Sequence, residues 1–166
     1  MTRFPQAELP PELPIHNNLV RAFYANPAMF KDFGRLAMKV HSASRITTRV
    51  RELAILRVAA KLDAAYEWAN HVPGAQAAGI SDDELRALRS GDLSIFTGAD
   101  LAAVRYADAV DDHAVDEAAW TAVSAHFTTD EIFDLTMAIG FYGFGSRMVL
   151  ALDVPIDEGL RGFEHP

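Results

Sequence analysis

The chain has 166 residues, half of them hydrophobic, with a formal net charge of -8 and no cysteine. This length suits one domain with a substantial core. The lack of cysteine excludes disulfide bonds, thiol nucleophiles and zinc sites with cysteine ligands. Lysine and arginine are scattered among acidic residues, so the sequence has no basic stripe that would follow a phosphate backbone. We therefore expect no nucleic-acid partner.

The first residues, MTRFPQAELPPELP, lack the apolar run of a secretory signal, and no apolar stretch in the sequence is long enough to span a bilayer. We therefore expect a cytoplasmic protein without a membrane partner. Several prolines keep residues 1–15 out of a regular helix. They predict an extended N-terminal arm, laid over the body of the protein or over a neighbouring subunit.

The next three elements are predicted from prolines, hydroxyl side chains and apolar spacing. Residues 16–24 predict a short helix that stops before Pro27, because a residue that precedes proline disfavours the α region. Pro27 then suits the first turn of a second helix, which runs to about His41 with one apolar side. Hydroxyl side chains near Thr47 predict the start of a central helix that ends near Leu62.

A fourth helix is predicted to carry residues 66–71, with a kink or a boundary at Pro73 and Gly74. Ser81-Asp-Asp-Glu84 matches the capping box, in which the hydroxyl and the carboxylate each accept a hydrogen bond from an exposed backbone N–H. This motif predicts a short helix that ends at Gly91.

Two further helices are predicted over residues 100–113 and 116–127. The first has an acidic end, which frays, binds a cation or faces solvent; its aspartates are Asp108, Asp111 and Asp112. A second capping box, residues 128–131, predicts the last helix, to about Ala151. That helix is apolar nearly all round, so we expect it to be buried in the domain or between subunits.

The sequence shows no strand pattern, so the predicted fold is all-α. A single domain is expected over residues 16–152, followed by an irregular tail over residues 153–166. Three glycines interrupt the last helix, and close packing is their expected use; they are Gly140, Gly143 and Gly145. No strand precedes them, so they do not form a dinucleotide-binding motif.

Glu67 and His71 are four residues apart, so on a helix they lie on the same face and can touch. A carboxylate beside an imidazole is a candidate proton-transfer pair, although a structural hydrogen bond within the helix would produce the same spacing. Tyr66 and Trp68 flank Glu67, and small alanines surround it, which predicts partial burial. Burial raises the pKa of a carboxylic acid and lowers that of histidine, whereas pairing the two charges acts in the opposite direction.

At Glu52 and at Tyr66-Glu-Trp-Ala-Asn-His71, the sequence resembles the family of carboxymuconolactone decarboxylases and alkylhydroperoxidase D-like (AhpD-like) proteins. The resemblance extends from about Asn18 to Leu152. It includes the run R-x-R-E-L-A-I-L-R-V-A, the core Y-E-W-x-x-H, the continuation G-I-S-x-x-E-L and the segment G-F-Y. It implies an AhpD-like helical bundle that assembles as a homotrimer or as a hexamer.

In the peroxidase branch of that family, a glutamate precedes a C-x-x-C pair and a histidine, which form a proton relay to a redox thiol. On this chain the glutamate corresponds to Glu52 and the histidine to His71, while the two cysteine positions are Ala64 and Glu67. Alanine and glutamate cannot perform thiolate chemistry, so peroxide reduction by this route is excluded. Glutamate at the second cysteine position is the decarboxylase-like arrangement.

The resemblance therefore implies acid/base decarboxylation of a small lactone or keto acid, in aromatic catabolism, without a cofactor. We expect His71 to be the proton donor, Glu67 its orienting or relaying partner, and Glu52 a supporting carboxylate. These three side chains together could also bind a metal. We expect none, because the usual histidine-rich ligand set is missing.

One of three arginines is expected to bind the substrate carboxylate, since a guanidinium matches it with two parallel hydrogen bonds; they are Arg45, Arg51 and Arg57. Tyr66 and Trp68 are expected to contact the small-molecule substrate. Two other functions are compatible with the sequence. One is lactone isomerisation or hydrolysis by the same residues, and the other is a non-catalytic or stress-associated role for the scaffold.

Overall fold

The computed structural model describes residues 3–163, and its regular structure is entirely helical within that range. The all-α prediction is confirmed. The α-helices are α1 (Asn18–Phe23), α2 (Pro27–Ser42), α3 (Thr48–Lys61), α4 (Ala65–Ala77), α5 (Asp82–Ser90), α6 (Gly98–Asp111), α7 (Glu117–Ser124) and α8 (Thr129–Ala151). A short 3-10 helix, Leu93–Ile95, lies between α5 and α6. The first two residues of the predicted arm and the last three of the predicted tail lie outside the described residues.

Side-chain caps begin several helices where the sequence predicts them. The Thr47 side chain accepts a hydrogen bond from the backbone N–H of Val50 at the start of α3. Both capping boxes form, the first at the start of α5 and the second at the start of α8. A cap of this kind is worth about 1 kcal/mol of stability. These hydrogen bonds set where three of the helices begin.

The α4 helix does not end at the predicted boundary, because it continues through Pro73 and Gly74 to Ala77. Proline lacks an N–H, so it removes one hydrogen bond from the helix interior. The helix nevertheless continues, since Val72 and Ala75 on the two sides of Pro73 pack into the same core cluster. Tertiary packing thus outweighs the local cost of the proline.

The central element is α3, which packs against α4, α5, α6 and α8. Its apolar side chains from Leu53 to Leu56 are completely buried. Because neighbouring helices cover α3 nearly all round, its polar residues Arg51 and Glu52 are also drawn into the interior. The fold therefore places a carboxylate and a guanidinium where water is scarce.

The three aspartates at the end of α6 are paired with basic side chains. Asp108 binds Arg57 and Lys61 of α3, and Asp111 binds Arg147 of α8. Asp112 pairs with the same lysine as Asp108. This acidic end therefore joins α6 to α3 and α8 by ion pairs.

One side of α8 is exposed on the single chain, so the expected burial between subunits stays a prediction. Phe133, Phe144 and Leu150 of α8 lie at the surface, as do Met29 and Met38 of α2. Between α1, α2 and α8 lies an open apolar groove of about 690 Å³, called the α2–α8 groove below. A contiguous apolar surface of this kind commonly marks an interaction site.

The segments before α1 and after α8 run over the helical body. The Ala7 N–H donates to the Arg21 carbonyl at 3.0 Å. The Arg3 N–H donates to the Asp153 carboxylate at 3.2 Å, which joins the two segments. No described helix has the length and apolar character required to cross a membrane.

Candidate active site

Four helices bring polar side chains together in one internal cluster. Glu52 comes from α3, Glu67 and His71 from α4, Tyr142 from α8, and His41 from the last turn of α2. We call these five residues the His71 cluster. Among residues 3–163, no group of three or more histidine and acidic side chains is arranged to hold a metal ion. The five side chains are proton donors and acceptors.

Glu52 and His71 form the hydrogen bond at the centre of the cluster. The Nδ1 atom of His71 donates to Oε2 of Glu52 at 2.8 Å, and both side chains are largely buried. Burial alone would raise the pKa of Glu52, but the hydrogen bond and charge of His71, followed by the charge of Arg51, hold that pKa below its usual value. Glu52 is therefore ionised, and it fixes the proton on Nδ1 of the imidazole.

Glu67 lies on the other side of the same imidazole. Its Oε2 atom is 3.9 Å from Nε2 of His71, an ion-pair distance beyond hydrogen-bond reach. Burial raises the pKa of Glu67, although the charge of His71 opposes the rise. Oε1 of Glu67 lies against Gly145 of α8, where an added Cβ would come within 3.2 Å of it. The glycine thus leaves room for a buried carboxyl group that holds its proton strongly.

Sequence reasoning missed His41 and Tyr142. Nε2 of His41 is hydrogen-bonded to the hydroxyl of Tyr142. The Tyr142 ring lies 4.6 Å from the His71 ring, at 85° to it, and the two imidazoles are nearly parallel, with centroids 6.2 Å apart. The G-F-Y segment contains Tyr142, so the sequence held a signal for the tyrosine, but nothing in it linked His41 to the site.

The pKa values of this second pair are shifted so that both groups stay neutral. Partial burial of its ring, followed by the positive charges of Arg51 and His71, lowers the pKa of His41. Burial and the negative charge of Glu67 raise the pKa of the Tyr142 phenol. A neutral imidazole and a neutral phenol therefore lie next to the Glu52–His71 hydrogen bond.

Arg51 is the one of the three candidate arginines that the structure places beside the cluster. Arg51 is buried, with 8% of its surface exposed. One guanidinium nitrogen donates to the His41 carbonyl at 3.4 Å, another lies 3.6 Å from Oε1 of Glu52, and Nε has no hydrogen-bond partner. A guanidinium has five N–H donors. Most of the donors of this buried cation therefore lack a short hydrogen bond.

The other two arginines are held elsewhere. Arg57 donates to both carboxylate oxygens of Asp108 and to the Leu88 carbonyl. Arg45 lies at the surface and makes two hydrogen bonds from its guanidinium to Asp134. Neither guanidinium is brought to His71.

The family model "Carboxymuconolactone decarboxylase family" matches residues 27–109, which is half of the chain. The protein belongs to the carboxymuconolactone decarboxylase family. The matched range contains four members of the His71 cluster, and only Tyr142 lies beyond it. No curated protein matches the sequence of this family member.

Solved structures share its fold at low sequence identity. An uncharacterized peroxidase-related protein from Ralstonia eutropha, an alkylhydroperoxidase AhpD core, matches with a TM-score of 0.81 at 18% identity, over 95% of this chain and 93% of the other. A protein of unknown function from Agrobacterium tumefaciens matches with a TM-score of 0.74 at 24% identity, over 80% of this chain and 93% of the other. The debrominase Bmp8, in complex with 2,3,4-tribromopyrrole, matches with a TM-score of 0.74 at 17% identity, over 88% of this chain and 80% of the other. These likenesses establish the AhpD-like helical fold.

Tyr66 and Trp68 of this family member point away from the His71 cluster. The Tyr66 hydroxyl donates to the Asp157 carboxylate at 2.7 Å and accepts from the Leu19 N–H at 3.2 Å. Trp68 is fully buried and packs against Phe163. The structure thus places both aromatic side chains against the segment that follows α8.

Proposed function

We propose that this protein is an acid/base enzyme that decarboxylates a small lactone or keto acid without a cofactor. One observation carries the proposal: His71 lies between two carboxyl groups of opposite character. Glu52 at Nδ1 is ionised, whereas Glu67 near Nε2 has a raised pKa. Groups whose environments push their pKa values apart are typical of paired acid and base roles. Membership of the carboxymuconolactone decarboxylase family supports the reaction class.

Decarboxylation makes limited demands on the protein. The bond between the carboxylate carbon and its neighbour breaks, carbon dioxide leaves, and the electron pair moves towards an adjacent carbonyl to form an enolate. The carbon must then receive a proton. His71 is the proposed donor, through Nε2, and Glu67 returns a proton to the imidazole across the gap of 3.9 Å. Neither group hydrogen-bonds the other at that distance, so the contact leaves Nε2 of His71 free to donate elsewhere.

Glu52 has a different proposed role, because its hydrogen bond already occupies Nδ1. It holds the imidazole ring in one orientation and stabilises the positive charge that His71 carries before it donates its proton. This is the usual task of a carboxylate behind a catalytic histidine. Glu52 is thus proposed as a positioning residue and His71 as the catalytic one.

Arg51 is the proposed partner of the substrate carboxylate. Its guanidinium is buried beside Glu52 and has an unpartnered Nε atom, whereas Arg45 and Arg57 already bind acidic side chains. In a site with little water, a carboxylate is destabilised relative to the departing neutral carbon dioxide. The same arginine thus orients the substrate while burial favours the loss of its carboxyl group.

The proposal includes a homo-oligomer, a trimer or a hexamer, in the cytoplasm. Exposed apolar residues of α2 and α8 support it, together with the α2–α8 groove between them. Apolar surfaces of this kind are commonly covered by another subunit. Light scattering coupled to size exclusion tests this part, and a monomeric mass at micromolar concentration would contradict it.

The enzymatic test measures carbon dioxide release and loss of absorbance for purified protein with 4-carboxymuconolactone and a panel of β-keto and lactone acids. His71→Ala and Glu67→Gln are run beside the wild type, with His126→Ala as the control, since His126 is exposed and outside the cluster. Turnover by the wild type and the control, lost in both cluster variants with their folds intact, supports the proposal. Substrate loss without carbon dioxide would indicate isomerisation or hydrolysis, and silence across the panel would favour a non-catalytic scaffold.

A further inference from the structure

His41 and Tyr142 take no part in the proposed proton transfer, yet their rings lie beside the His71 ring. Tyr142 is 8% exposed, and His41 lies at the surface end of the cluster, in the last turn of α2. Their hydrogen bond joins α2 to α8. A buried phenol that is hydrogen-bonded to a surface imidazole therefore lies next to the proposed proton donor.

The proposed steps leave the enolate oxygen of the substrate without a hydrogen-bond donor. Arg51 holds the carboxylate that departs, and His71 gives its proton to carbon. The negative charge of the intermediate, however, develops on the enolate oxygen. A neutral donor aimed at that oxygen lowers the barrier most when it is held in place in advance and shielded from water.

We propose that the Tyr142 hydroxyl donates a hydrogen bond to the enolate oxygen, with His41 as the residue that positions it. This inference rests on the proposed function. Three features of the structure support it. The phenol ring lies 4.6 Å from the His71 ring, its hydroxyl is fixed by His41, and its raised pKa keeps it protonated at neutral and mildly alkaline pH.

The proton balance of the step is simple. As the bond to the carboxylate carbon breaks, its electron pair forms the enolate, and the Tyr142 O–H shares its proton with the enolate oxygen through a hydrogen bond only. When His71 protonates the carbon, the electron pair returns to form the new C–H bond, and the carbonyl is restored. The phenol is unchanged, and solvent replaces the one proton that the reaction consumes.

His41 acts by setting the direction of the phenol proton. With its own proton on Nε2, the imidazole donates to the Tyr142 oxygen, so the phenol proton is free to point at the substrate. Nδ1 of His41 has no partner among the described residues, and the residue lies at the surface. Solvent therefore accommodates that second nitrogen at little cost.

The test uses 3-nitropropanoate, which in its nitronate form carries a carboxylate and a planar oxyanion that imitates an enolate. Propanoate, with the carboxylate alone, is the control ligand, and calorimetry measures both affinities at alkaline pH. We expect the wild type to bind the nitronate more tightly than propanoate. Tyr142→Phe should lose about tenfold to a hundredfold of the nitronate affinity, as for a lost hydrogen bond to a charged group. Its affinity for propanoate should be unchanged.

Tyr106→Phe is the matched control variant, because the Tyr106 hydroxyl is hydrogen-bonded to Thr136, away from the cluster. It should bind both ligands as the wild type does. For His41, the informative comparison is between His41→Leu and His41→Gln, since a glutamine amide restores a donor near Nε2. The leucine variant should lower kcat with little change in KM, and the glutamine variant should recover part of the loss.

Failure of this inference is distinguishable from failure of the proposed function. If the wild type turns over a substrate, or binds propanoate through Arg51, while Tyr142→Phe binds the nitronate as tightly as the wild type, only the role of Tyr142 is overturned. If the wild type shows no turnover and binds neither ligand, both proposals are overturned. Circular dichroism of Tyr142→Phe shows whether a loss of binding reflects the hydroxyl or the fold.

Discussion

Nδ1 of His71 donates a hydrogen bond of 2.8 Å to Oε2 of Glu52, and this bond joins α4 to α3 in the interior of the protein. A histidine held in this way has only Nε2 left for chemistry. That atom faces Glu67, so the position of the reactive nitrogen is decided by a residue on another helix.

Glu52→Gln tests the positioning role of the carboxylate. The amide oxygen still accepts the hydrogen bond from Nδ1, but it no longer stabilises a positively charged imidazole. We expect kcat for carbon dioxide release to fall by about a hundredfold or more, with a small change in KM. The control is Glu131→Gln, which removes the charge of an exposed capping glutamate. Wild-type kcat in Glu52→Gln would contradict the role.

Glu67→Gln should stabilise the protein at neutral pH. Burial raises the pKa of Glu67 in the folded state, above about 4.3 in the unfolded chain. The folded protein then binds this proton more tightly, so stability falls as the pH rises from the unfolded pKa through the folded one. Each tenfold change in the ionisation constant corresponds to about 1.4 kcal/mol. Thermal unfolding should show a higher Tm for Glu67→Gln at pH 7, and little difference near pH 4.

The opposite dependence on pH is expected for the effect of Glu52→Gln on stability. The pKa of Glu52 is lowered in the folded state, so its contribution to stability is present above the unfolded pKa and is lost as the pH falls through the folded one. Glu52→Gln should therefore unfold at a lower temperature than the wild type at pH 7. The two melting curves should converge as the pH is lowered below 4. Parallel pH profiles for the two glutamine variants would show that the two carboxyl groups are equivalent.

Arg51→Gln and Arg57→Gln should separate substrate binding from stability. Removal of the weakly bonded Arg51 guanidinium should raise KM by about tenfold to a hundredfold, the usual worth of a charged hydrogen bond. Arg57 makes strong hydrogen bonds to Asp108 and to the Leu88 carbonyl. Its replacement should cost about 1 to 3 kcal/mol of stability and leave KM unchanged. Urea unfolding and steady-state kinetics on both variants decide the assignment.

Gly145→Ala should impair catalysis while leaving the helix intact. Its Cβ would come within 3.2 Å of Oε1 of Glu67, so the carboxyl group must move relative to His71. Gly140 is the matched control, because a Cβ there meets nothing within 4 Å. Gly140→Ala should raise helix stability by about 0.5 to 1 kcal/mol with unchanged kcat. Equal kinetics in the two alanine variants would show that Glu67 tolerates the shift.

Tyr66→Phe distinguishes a structural role from substrate binding. The Tyr66 hydroxyl is hydrogen-bonded to Asp157 and to the Leu19 N–H, so its removal leaves the Leu19 N–H and one oxygen of the Asp157 carboxylate without this partner. We expect a loss of about 1 to 3 kcal/mol in stability with KM unchanged. A raised KM at full stability would instead support the predicted contact with substrate.

Most of the fold could be predicted because its signals are local. Apolar spacing, the capping residues and the two capping boxes depend on residues within a few positions of each other, and the boxes at Ser81 and Thr128 form as predicted. The continuation of α4 through Pro73 could not be predicted, because it depends on Val72 and Ala75 packing into a core assembled from other helices. The local pattern indicated a kink or a boundary, and tertiary packing excludes the boundary.

The candidate site could be predicted only in part, for the same physical reason. The spacing of four residues indicated that Glu67 and His71 lie close together, and the family resemblance indicated Glu52. His41 and Tyr142 meet only when α2 packs on α8, across 101 residues of chain. The choice among the arginines likewise depends on acidic partners that are distant in sequence, such as Asp108 for Arg57.

The Asp157 carboxylate accepts hydrogen bonds from the Asn18 N–H, at the start of α1, and from the Tyr66 hydroxyl. Asn18 and Asp157 are 139 residues apart. On the ribosome, α1 therefore emerges long before the group that anchors it, and every other helix is made in the interval. The buried face of α1, including Ala22, must wait uncovered during that time. Apolar surface that is exposed during folding is prone to aggregate, so this chain carries that risk until its last segment is made and its fold is completed late in translation.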